Sequence, residues 1–272
     1  MKLLSDIINS NRLLETLFDN LADEIRTSEL YKSIADYFEN YCQQNSIDCD
    51  AAIDMYMRFI TMYNKHCKQF IKTGNYPVEG NIAPISISRE HYDIVLLMSV
   101  LFTPHRFRIM ELLSKKDQLG KALFIGIGPG LELQLTKAKH PLIHAYDIRL
   151  NQSLISQFPE VKFFDTYYLG QEIAFYDSIY LIELLEHLEN PYELIQVAAS
   201  SIKTHGHVIL TTATDIPQFD HLYNFPENHD EFESRCRSLG LEVVFKEKLV
   251  HNYLTSELKP INHFYILQKT NS

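Results

Sequence analysis

The chain has 272 residues and a formal net charge of −10, because 35 acidic residues outweigh 25 lysines and arginines. This acidic balance argues against nucleic acid as a partner, since proteins that bind phosphate backbones present dense basic surfaces. The length suffices for two small domains, or for one large domain with an appendage, without disulfide support. No spacing typical of a zinc site or a disulfide framework is present, so we expect reduced, buried thiols at Cys42, Cys49, Cys67 and Cys236.

The sequence shows no pattern typical of a signal peptide or a membrane span. Polar residues in the start, Met1 to Asp6, interrupt the apolar stretch that a signal peptide would continue. The longest apolar run, residues 94–102, is too short to span a bilayer. We therefore predict a soluble cytoplasmic protein with no membrane partner and a small-molecule substrate, and we leave a homodimer open.

Residues 1 to about 115 have apolar side chains at helical spacing, beginning with Leu3, Leu4, Ile7 and Ile8. Breaks are indicated at residues 73–77 and in a loop around residues 80–84. We interpret residues 1–116 as an all-helical cap or substrate domain. Its later helices are predicted at about Ser28 to Tyr41, Asp50 to Lys72, Ser88 to Phe102, and from Pro104 onward.

Residues 117–272 alternate short β-type runs with helical ones, which is typical of a doubly wound, Rossmann-like α/β domain. The segment 248–262 is too irregular for a confident crossover helix, so we expect an antiparallel final pair. The seven predicted strands are Ala122 to Gly126, Leu142 to Asp147, Val161 to Asp165, Tyr176 to Ile182, His207 to Thr212, Leu241 to Glu247 and His263 to Gln268.

A glycine-rich turn follows the first predicted strand, with glycines at alternate positions, Gly126, Gly128 and Gly130. Glycine lets a ligand approach the backbone closely, and the helix that follows offers unpaired N–H groups. A dinucleotide fingerprint needs its third glycine one residue later, where this chain has Leu131. The spacing therefore favours a nucleotide-type cradle other than that of NAD or FAD.

Carboxylates stand at the ends of the next two predicted strands. Asp147 lies seventeen residues after Gly130, where an acidic side chain can accept hydrogen bonds from both hydroxyls of a ribose. Asp165, at the end of the third strand, is placed to accept from an adenine amino group. Both residues also have structural alternatives, because aspartate commonly caps helices and forms turns.

The second half of the chain resembles the class I S-adenosylmethionine-dependent methyltransferases, especially the ubiquinone-biosynthesis O-methyltransferases. The shared features are the glycine turn, Asp147, the block Glu-Leu-Leu-Glu-His-Leu-x-x-Pro at residues 183–191, and Lys-Thr-His-Gly at 203–206. The resemblance covers about residues 121–270. It implies a bound S-adenosylmethionine with its methionine end over Gly126, Gly128 and Gly130, its ribose at Asp147, its adenine near Asp165, and Glu183 in the cofactor site.

One position departs from that family, which usually has an acidic residue two places before the first glycine. This chain has Phe124 there. The same feature, with the helical first half, resembles nicotianamine synthases, which transfer the aminocarboxypropyl arm of the cofactor and release methylthioadenosine. Two alternatives to small-molecule methyl transfer therefore remain open. One is aminocarboxypropyl transfer, and the other is binding of the cofactor without catalysis. An RNA methyltransferase is disfavoured by the acidic charge.

The block at residues 183–191 also suggests a metal site. At helical spacing, Glu183, Glu186 and His187 share one face, and His229 matches a downstream histidine of related metal-dependent O-methyltransferases. This pattern predicts an Mg²⁺-type site that acidifies a substrate hydroxyl. The alternative is that these residues cap and pack a helix. Without metal, His187 or His229 is the candidate catalytic base.

Polar and aromatic residues concentrate beside the boundary between the two halves. Tyr92, His105 and Arg106 are predicted to bind substrate, as residues of a lid over the cofactor would. Arg106 or Arg108 can bind a substrate carboxylate through two hydrogen bonds. The alternative for Tyr92 and His105 is ordinary packing between helices.

Overall fold

The computed structural model describes residues 2–77, 87–116, 120–251 and 258–271. The first part of the chain is helical, as predicted. The loop expected around residues 80–84 lies outside the described residues. The helices before the sheet are α1 (Lys2–Ser10), α2 (Arg12–Asp19), α3 (Asp23–Arg26), α4 (Glu29–Gln44), α5 (Cys49–Thr73), α6 (Arg89–Phe102) and α7 (Pro104–Ser114).

Local sequence signals account for where the long helices begin and end. Ser28 and Ser88 cap the starts of α4 and α6 by accepting backbone N–H groups, and Asp48 does the same for α5. Gly74 ends α5 in the left-handed conformation, and Pro104 opens α7. Of the helices described, none is long and apolar enough to cross a membrane.

The second part of the chain forms one seven-stranded sheet in the order β3-β2-β1-β4-β5-β7-β6. Strands β1 to β5 pair in parallel, whereas β7 lies between β5 and β6 and is antiparallel to both. The predicted Rossmann-like sheet with an antiparallel last strand is confirmed. The strands are β1 (Lys121–Ile125), β2 (Leu142–Asp147), β3 (Val161–Asp165), β4 (Tyr176–Leu181), β5 (Ile202–Thr214), β6 (Leu241–Val250) and β7 (Ile261–Lys269).

The helices of the second part flank this sheet and are short. β5 begins five residues earlier than predicted, because residues 202–206 continue the strand directly from the preceding helix. A 3₁₀ turn, Leu185–His187, replaces a regular helix after β4. The α-helices are α8 (Leu131–Thr136), α9 (Ser153–Gln157), α10 (Pro191–Ser201) and α11 (His229–Ser238).

The helical first part packs directly on the sheet. One continuous buried cluster contains residues of α1, α2 and α4 to α7 and residues of β1, β2, β5 and β7. The Tyr37 hydroxyl, on α4, also donates a hydrogen bond of 2.6 Å to the carbonyl oxygen of Pro129 in the glycine turn. The glycine turn is therefore held by the helical part as well as by the sheet. The division into domains at residue 116 stays a prediction.

A buried polar network joins α4 and α6 to the end of β2. Asp93, which is fully buried, accepts hydrogen bonds from Tyr41, Asn151 and the Nε of Arg89. The same guanidinium donates to Asp147 and to the carbonyl oxygens of Gly128 and Arg149. Because Arg89 and Asp147 both bond to Gly128, the network links the helical part to the glycine turn.

Candidate active site

A cavity of about 990 Å³ lies between the helical part and the carboxyl edge of the sheet. The glycine turn and Asp147 line one side of it, and aromatic side chains of α5, including Tyr56 and Phe59, line another. Ligands of open α/β sheets bind at this edge. The predicted site residues that line the cavity are Gly126, Gly128, Asp147, Glu183, His187, Tyr92, His105 and Arg106.

The three glycines of the turn all have positive φ, between 51° and 78°. A Cβ on Gly126 would lie 3.0 Å from Leu184, and one on Gly128 would lie 3.2 Å from Leu96. Gly130 is different, because it opens α8 and packs against Leu154 instead of lining the cavity. Gly126 and Gly128 therefore line the cavity, whereas Gly130 shapes the turn, and the binding of cofactor by the three glycines stays a prediction.

We expect Gly130→Ala to lower the free energy of unfolding by about 2–3 kcal/mol, because left-handed strain adds to overpacking. The new Cβ would lie 3.0 Å from Leu154 and 3.2 Å from the Tyr37 hydroxyl. Gly74→Ala is the matched control, since Gly74 has φ of 69° with nothing within 4 Å of a Cβ. Urea denaturation measures both. Equal losses for the two variants would show that packing around Gly130 contributes nothing.

Asp147 ends β2 with its carboxylate in the cavity wall and only 8% of the residue exposed. Its Oδ1 accepts from the Arg149 N–H at 2.8 Å and from Arg89 at 3.2 Å, and its Oδ2 accepts from the Gly128 N–H at 3.2 Å. A carboxylate has about four lone-pair sites, so Oδ2 can still accept one ribose hydroxyl, and a second hydroxyl would have to replace the longer contact of Oδ1 with Arg89. Asp147 is thus oriented by the same glycine turn that lines the cavity.

Asp165 does not reach the cavity. It is exposed at the end of β3, and its Oδ1 accepts a hydrogen bond from the Leu150 N–H at 3.2 Å. The next residues, Thr166 and Tyr167, line the cavity instead. In the structure Asp165 therefore acts as a turn residue, which was the alternative interpretation. Its contact with adenine stays a prediction.

Glu183 follows β4 in a strained conformation, with φ of 50°, which residues other than glycine rarely adopt. Its N–H donates to the Thr211 hydroxyl at 2.6 Å, and its carboxylate lies between Arg106, at 2.5 Å, and the Asn262 amide, at 2.9 Å. The expected helical face was wrong, because the 3₁₀ turn begins only after Glu183. Backbone strain held by three partners is typical of functional sites.

Arg106 binds a carboxylate, but the carboxylate is the protein's own Glu183. Arg108 is occupied as well, since its Nε and one terminal nitrogen contact Glu247 at 2.8 and 3.0 Å. Both guanidinium groups thus already pair with carboxylates of the protein, and binding of a substrate carboxylate by either stays a prediction. Arg106 still lines the cavity, and its charge lies where the cofactor or substrate is expected.

His187 lines the cavity, and its Nδ1 lies 2.9 Å from the backbone carbonyl oxygen of Asp220. Tyr92 donates a hydrogen bond of 2.9 Å to the Asp220 carboxylate. Burial by itself would lower the pKa of His187, but the Asp220 and Glu186 carboxylates outweigh it and raise that pKa above its usual value. The predicted substrate residue Tyr92 and the predicted catalytic residue His187 therefore meet at Asp220.

His229 does not lie near His187, Tyr92 and Asp220. Asn228 caps α11 by accepting the N–H groups of Asp230 and Glu231, and His229 then points to β7, with its Nδ1 2.7 Å from the Tyr265 hydroxyl. The prediction that His229 completes a metal site or serves as the base is corrected on this geometry. The histidine that joins His187 in space is His221, which a sequence match to the related enzymes does not select.

Phe124 has a packing role. It is buried in β1 and stacks on Tyr180 of β4, with ring centroids 4.2 Å apart and planes 4° apart. The cavity instead receives a carboxylate from Glu132, in the first turn of α8. Burial raises the pKa of Glu132, and Arg106 opposes that rise. Glu132 is thus a cavity acid that the comparison at position 124 did not reveal.

Two more histidines, His105 and His251, line the cavity. His105 lies in the first turn of α7 and stacks on His251, with ring centroids 3.4 Å apart. Burial lowers the pKa of both, that of His251 to about 4. His105 was predicted, but His251 was missed because it comes from the end of β6, far along the chain. Both rings are therefore neutral in the folded protein at neutral pH.

The burial of His105 and His251 makes the free energy of unfolding depend on pH. An unfolded histidine binds a proton below about pH 6.5, whereas the folded His251 stays neutral to about pH 4. Stability is therefore full above about pH 6.5 and falls as the pH decreases toward 4, by up to about 1.4 kcal/mol per pH unit. Urea denaturation near pH 7.5 and 5.5 should show a smaller loss for His251→Gln than for the wild type. Identical losses would contradict a neutral, buried His251.

The comparisons with known proteins agree with this geometry. The methyltransferase-domain family matches residues 104–244, more than half of the chain. An O-methyltransferase family protein from Burkholderia thailandensis has a similar structure, with a TM-score of 0.55, 14% identity, and coverage of 81% of this chain and 72% of that one. No curated protein matches the chain in sequence.

Two further solved structures share the fold. The N-methyltransferase NodS from Bradyrhizobium japonicum, in complex with S-adenosylhomocysteine, has a TM-score of 0.50, 13% identity, and coverage of 63% of this chain and 91% of NodS. The [4+2]-cyclase SpnF has a TM-score of 0.50, 11% identity, and coverage of 78% and 95%. Structural similarity at such low sequence identity shows only a shared fold. The match to the family, over residues 104–244, shows that the chain contains a methyltransferase domain. The chain belongs to the methyltransferase-domain family and is an S-adenosylmethionine-dependent methyltransferase.

Proposed function

We propose that the enzyme transfers the methyl group of S-adenosylmethionine to a hydroxyl oxygen of a small molecule with a largely apolar body. The observation that carries this proposal is the single cavity that the glycine turn and the aromatic face of α5 line together. A cofactor over the turn and an acceptor against α5 would share this space. Methyl transfer requires that closeness, because alignment of acceptor, methyl carbon and sulfur provides much of the rate enhancement.

The cofactor fits the sheet edge of this cavity. Asp147 would accept hydrogen bonds from the ribose hydroxyls, and the methionine end would lie over Gly126 and Gly128. The half-buried Glu132 carboxylate, in the first turn of α8, is suited to the methionine ammonium group. Tyr167 and its neighbours line the end of the cavity that remains for adenine. Together these groups match the charges and donors of S-adenosylmethionine.

The acceptor side is apolar and aromatic. Tyr56 stacks near Phe59, with ring centroids 6.2 Å apart, and Phe59 stacks near Tyr63 at 6.1 Å. All three line the cavity and form one aromatic wall on α5. Such a wall favours a flat or apolar molecule over a charged polymer. The net charge of −10 also supports a small-molecule acceptor.

Activation of the acceptor is assigned to the polar end of the cavity around His187. The transferred methyl carbon forms a bond to the acceptor oxygen as its bond to sulfur breaks, and the electron pair of that bond stays on sulfur. The acceptor hydroxyl loses its proton in the same process. A histidine beside the Asp220 carboxylate and carbonyl is positioned to assist that loss.

The test uses S-adenosylmethionine with a deuterated methyl group, the purified full chain and, in separate reactions, the small-molecule and the macromolecular fractions of a cell extract. Mass spectrometry should find S-adenosylhomocysteine and a deuterium-labelled small molecule with the wild type, but not with Asp147→Asn. Release of methylthioadenosine would instead show aminocarboxypropyl transfer. Label in a macromolecular fraction would contradict the small-molecule acceptor, and binding of the cofactor without any product would show a non-catalytic role.

A further inference from the structure

Three side chains that can ligate a metal converge at the polar end of the cavity. Glu186, His187 and His221 each offer one donor atom, and these atoms lie within 4.8 Å of one another. The first two residues belong to the 3₁₀ turn after β4, and His221 belongs to the loop after β5. The Leu222 N–H donates to the Glu186 carbonyl oxygen at 3.0 Å, which fastens the two segments together.

The Glu186 carboxylate lacks the partners that a buried charge requires. Glu186 has no exposed surface, and neither of its carboxylate oxygens has a hydrogen-bond partner among the described residues. Burial, with Glu183 nearby, raises the pKa of this carboxyl group. An uncompensated buried carboxylate is expensive unless it is paired or coordinates a cation. The two unpartnered oxygens of Glu186 are therefore available to a bound positive ion.

Both histidines are oriented as metal ligands usually are. The Nδ1 of His187 faces the Asp220 carbonyl oxygen, so it carries the hydrogen and leaves the lone pair on Nε2. His221 is hydrogen-bonded to the backbone of Ile216, and its buried Nδ1 has no hydrogen-bond partner among the described residues. In each ring one nitrogen is thus fixed by the backbone, and the other is available to an ion.

We propose that Glu186, His187 and His221 bind a divalent transition-metal ion of the Zn²⁺ type, with one coordination position open to the cavity. Two imidazoles and one carboxylate suit Zn²⁺, Fe²⁺ or Co²⁺, whereas Mg²⁺ prefers oxygen ligands. Ligand atoms about 2.1 Å from one ion lie roughly 3–4 Å apart, so donor atoms within 4.8 Å of one another need to close by at most about 1–2 Å. Three protein ligands with one open position are typical of catalytic sites.

The binding of the ion stands without the proposed function, but its role in the reaction rests on that function. An acceptor hydroxyl on the open position would lose its proton to solvent water more readily, because the ion stabilises the oxyanion. The oxygen would then attack the methyl carbon, and the C–S bond would break with its electron pair on sulfur. His187 would in that case act by holding the ion.

The test is a titration of the metal-free full chain with Co²⁺ in the absence of cofactor and substrate. We expect visible absorption bands that saturate at about one Co²⁺ per chain, displacement by Zn²⁺, and no competition from Mg²⁺. Glu186→Gln and His221→Gln should each weaken Co²⁺ binding by about 100-fold or more. His229→Gln is the matched control, since His229 also packs against another histidine, His263, at 4.0 Å between centroids.

Thermal unfolding provides a second measurement. Zn²⁺ should raise the melting temperature of the wild type and of His229→Gln, but not that of Glu186→Gln. Glu186→Gln removes a buried charge, so we expect it to fold in the absence of metal. Absence of Co²⁺ binding to the wild type would overturn the proposal. Unchanged binding in both ligand variants, or a loss in His229→Gln alone, would do so too.

If the metal is absent while methyl transfer is still detected with deuterated cofactor, only the metal proposal fails. If Co²⁺ binds to the three residues but no methylated product forms, only the proposed function fails.

Discussion

Asp147→Asn should weaken the binding of S-adenosylhomocysteine by about 100-fold or more. Each charge-assisted hydrogen bond to a ribose hydroxyl contributes about 1.5–3 kcal/mol, and the carboxylate is expected to accept two. Asparagine keeps the shape of the side chain but exchanges one acceptor oxygen for a donor. It also removes the charge that Arg89 and the Gly128 N–H face. The measurement is calorimetric titration of the wild type and the variant.

The matched control for this prediction is Asp177→Asn. Asp177 likewise accepts a backbone N–H, that of Lys121 at 2.8 Å, and faces a cation, Lys203 at 2.7 Å. It lies near the start of β4, whereas Asp147 lies at the carboxyl end of β2, so its loss should leave cofactor affinity unchanged. Equal affinity in Asp147→Asn and wild type would remove the ribose role from Asp147. Equal weakening in both variants would indicate a general loss of structure.

Arg89→Met should lower the free energy of unfolding by about 3–5 kcal/mol, because it leaves the fully buried Asp93 carboxylate without its cation. Tyr41 and Asn151 still donate to that carboxylate, but neither carries a charge. The variant also frees the carbonyl oxygens of Gly128 and Arg149, which Arg89 now satisfies. Urea denaturation monitored by circular dichroism measures the loss.

Arg58→Met is the control for Arg89→Met. Both arginines pair through Nε with an aspartate one helical turn away, but Arg58 is 71% and Asp54 57% exposed in their side chains. An exposed pair of this kind contributes about 0.5 kcal/mol or less. Adding Asp93→Asn to Arg89→Met should restore part of the stability, since it removes the unpaired charge. Similar losses in the two arginine variants would contradict the argument from burial.

Much of the fold follows from local patterns. Helical spacing and the capping residues Ser28, Ser88 and Pro104 located the helices of the first part, and short β-type runs located all seven strands. The position of β7 between β5 and β6 was not predictable in this way. Strand order depends on pairing between residues that are distant along the chain, and no local pattern encodes it.

The candidate site was predictable where its residues belong to one strand end. Gly126, Gly128 and Asp147 are examples, because parallel strands bring their carboxyl ends to one edge. His221 and Arg89 were missed, since each reaches the site through a contact between segments far apart in sequence. His229 was misplaced for a related reason. Its spacing matched a family pattern, but the Asn228 cap turns it toward Tyr265.

The structure also changes the meaning of Phe124. Its mismatch with the methyltransferase pattern suggested a different reaction of the same cofactor. In the structure its ring stacks on Tyr180 in the core, and Glu132 supplies a carboxylate to the cavity. The mismatch is therefore accounted for by packing, and it gives no support to aminocarboxypropyl transfer.

The most direct test of the account is a crystal structure of the full chain with S-adenosylhomocysteine. We predict that the ligand's ribose hydroxyls lie about 3 Å from the Asp147 carboxylate, which is hydrogen-bond distance. We also predict that its sulfur faces the space between His187 and the aromatic wall on α5. A ligand bound elsewhere, or one whose sulfur is turned away from the cavity, would contradict a methyl transfer reaction in this site.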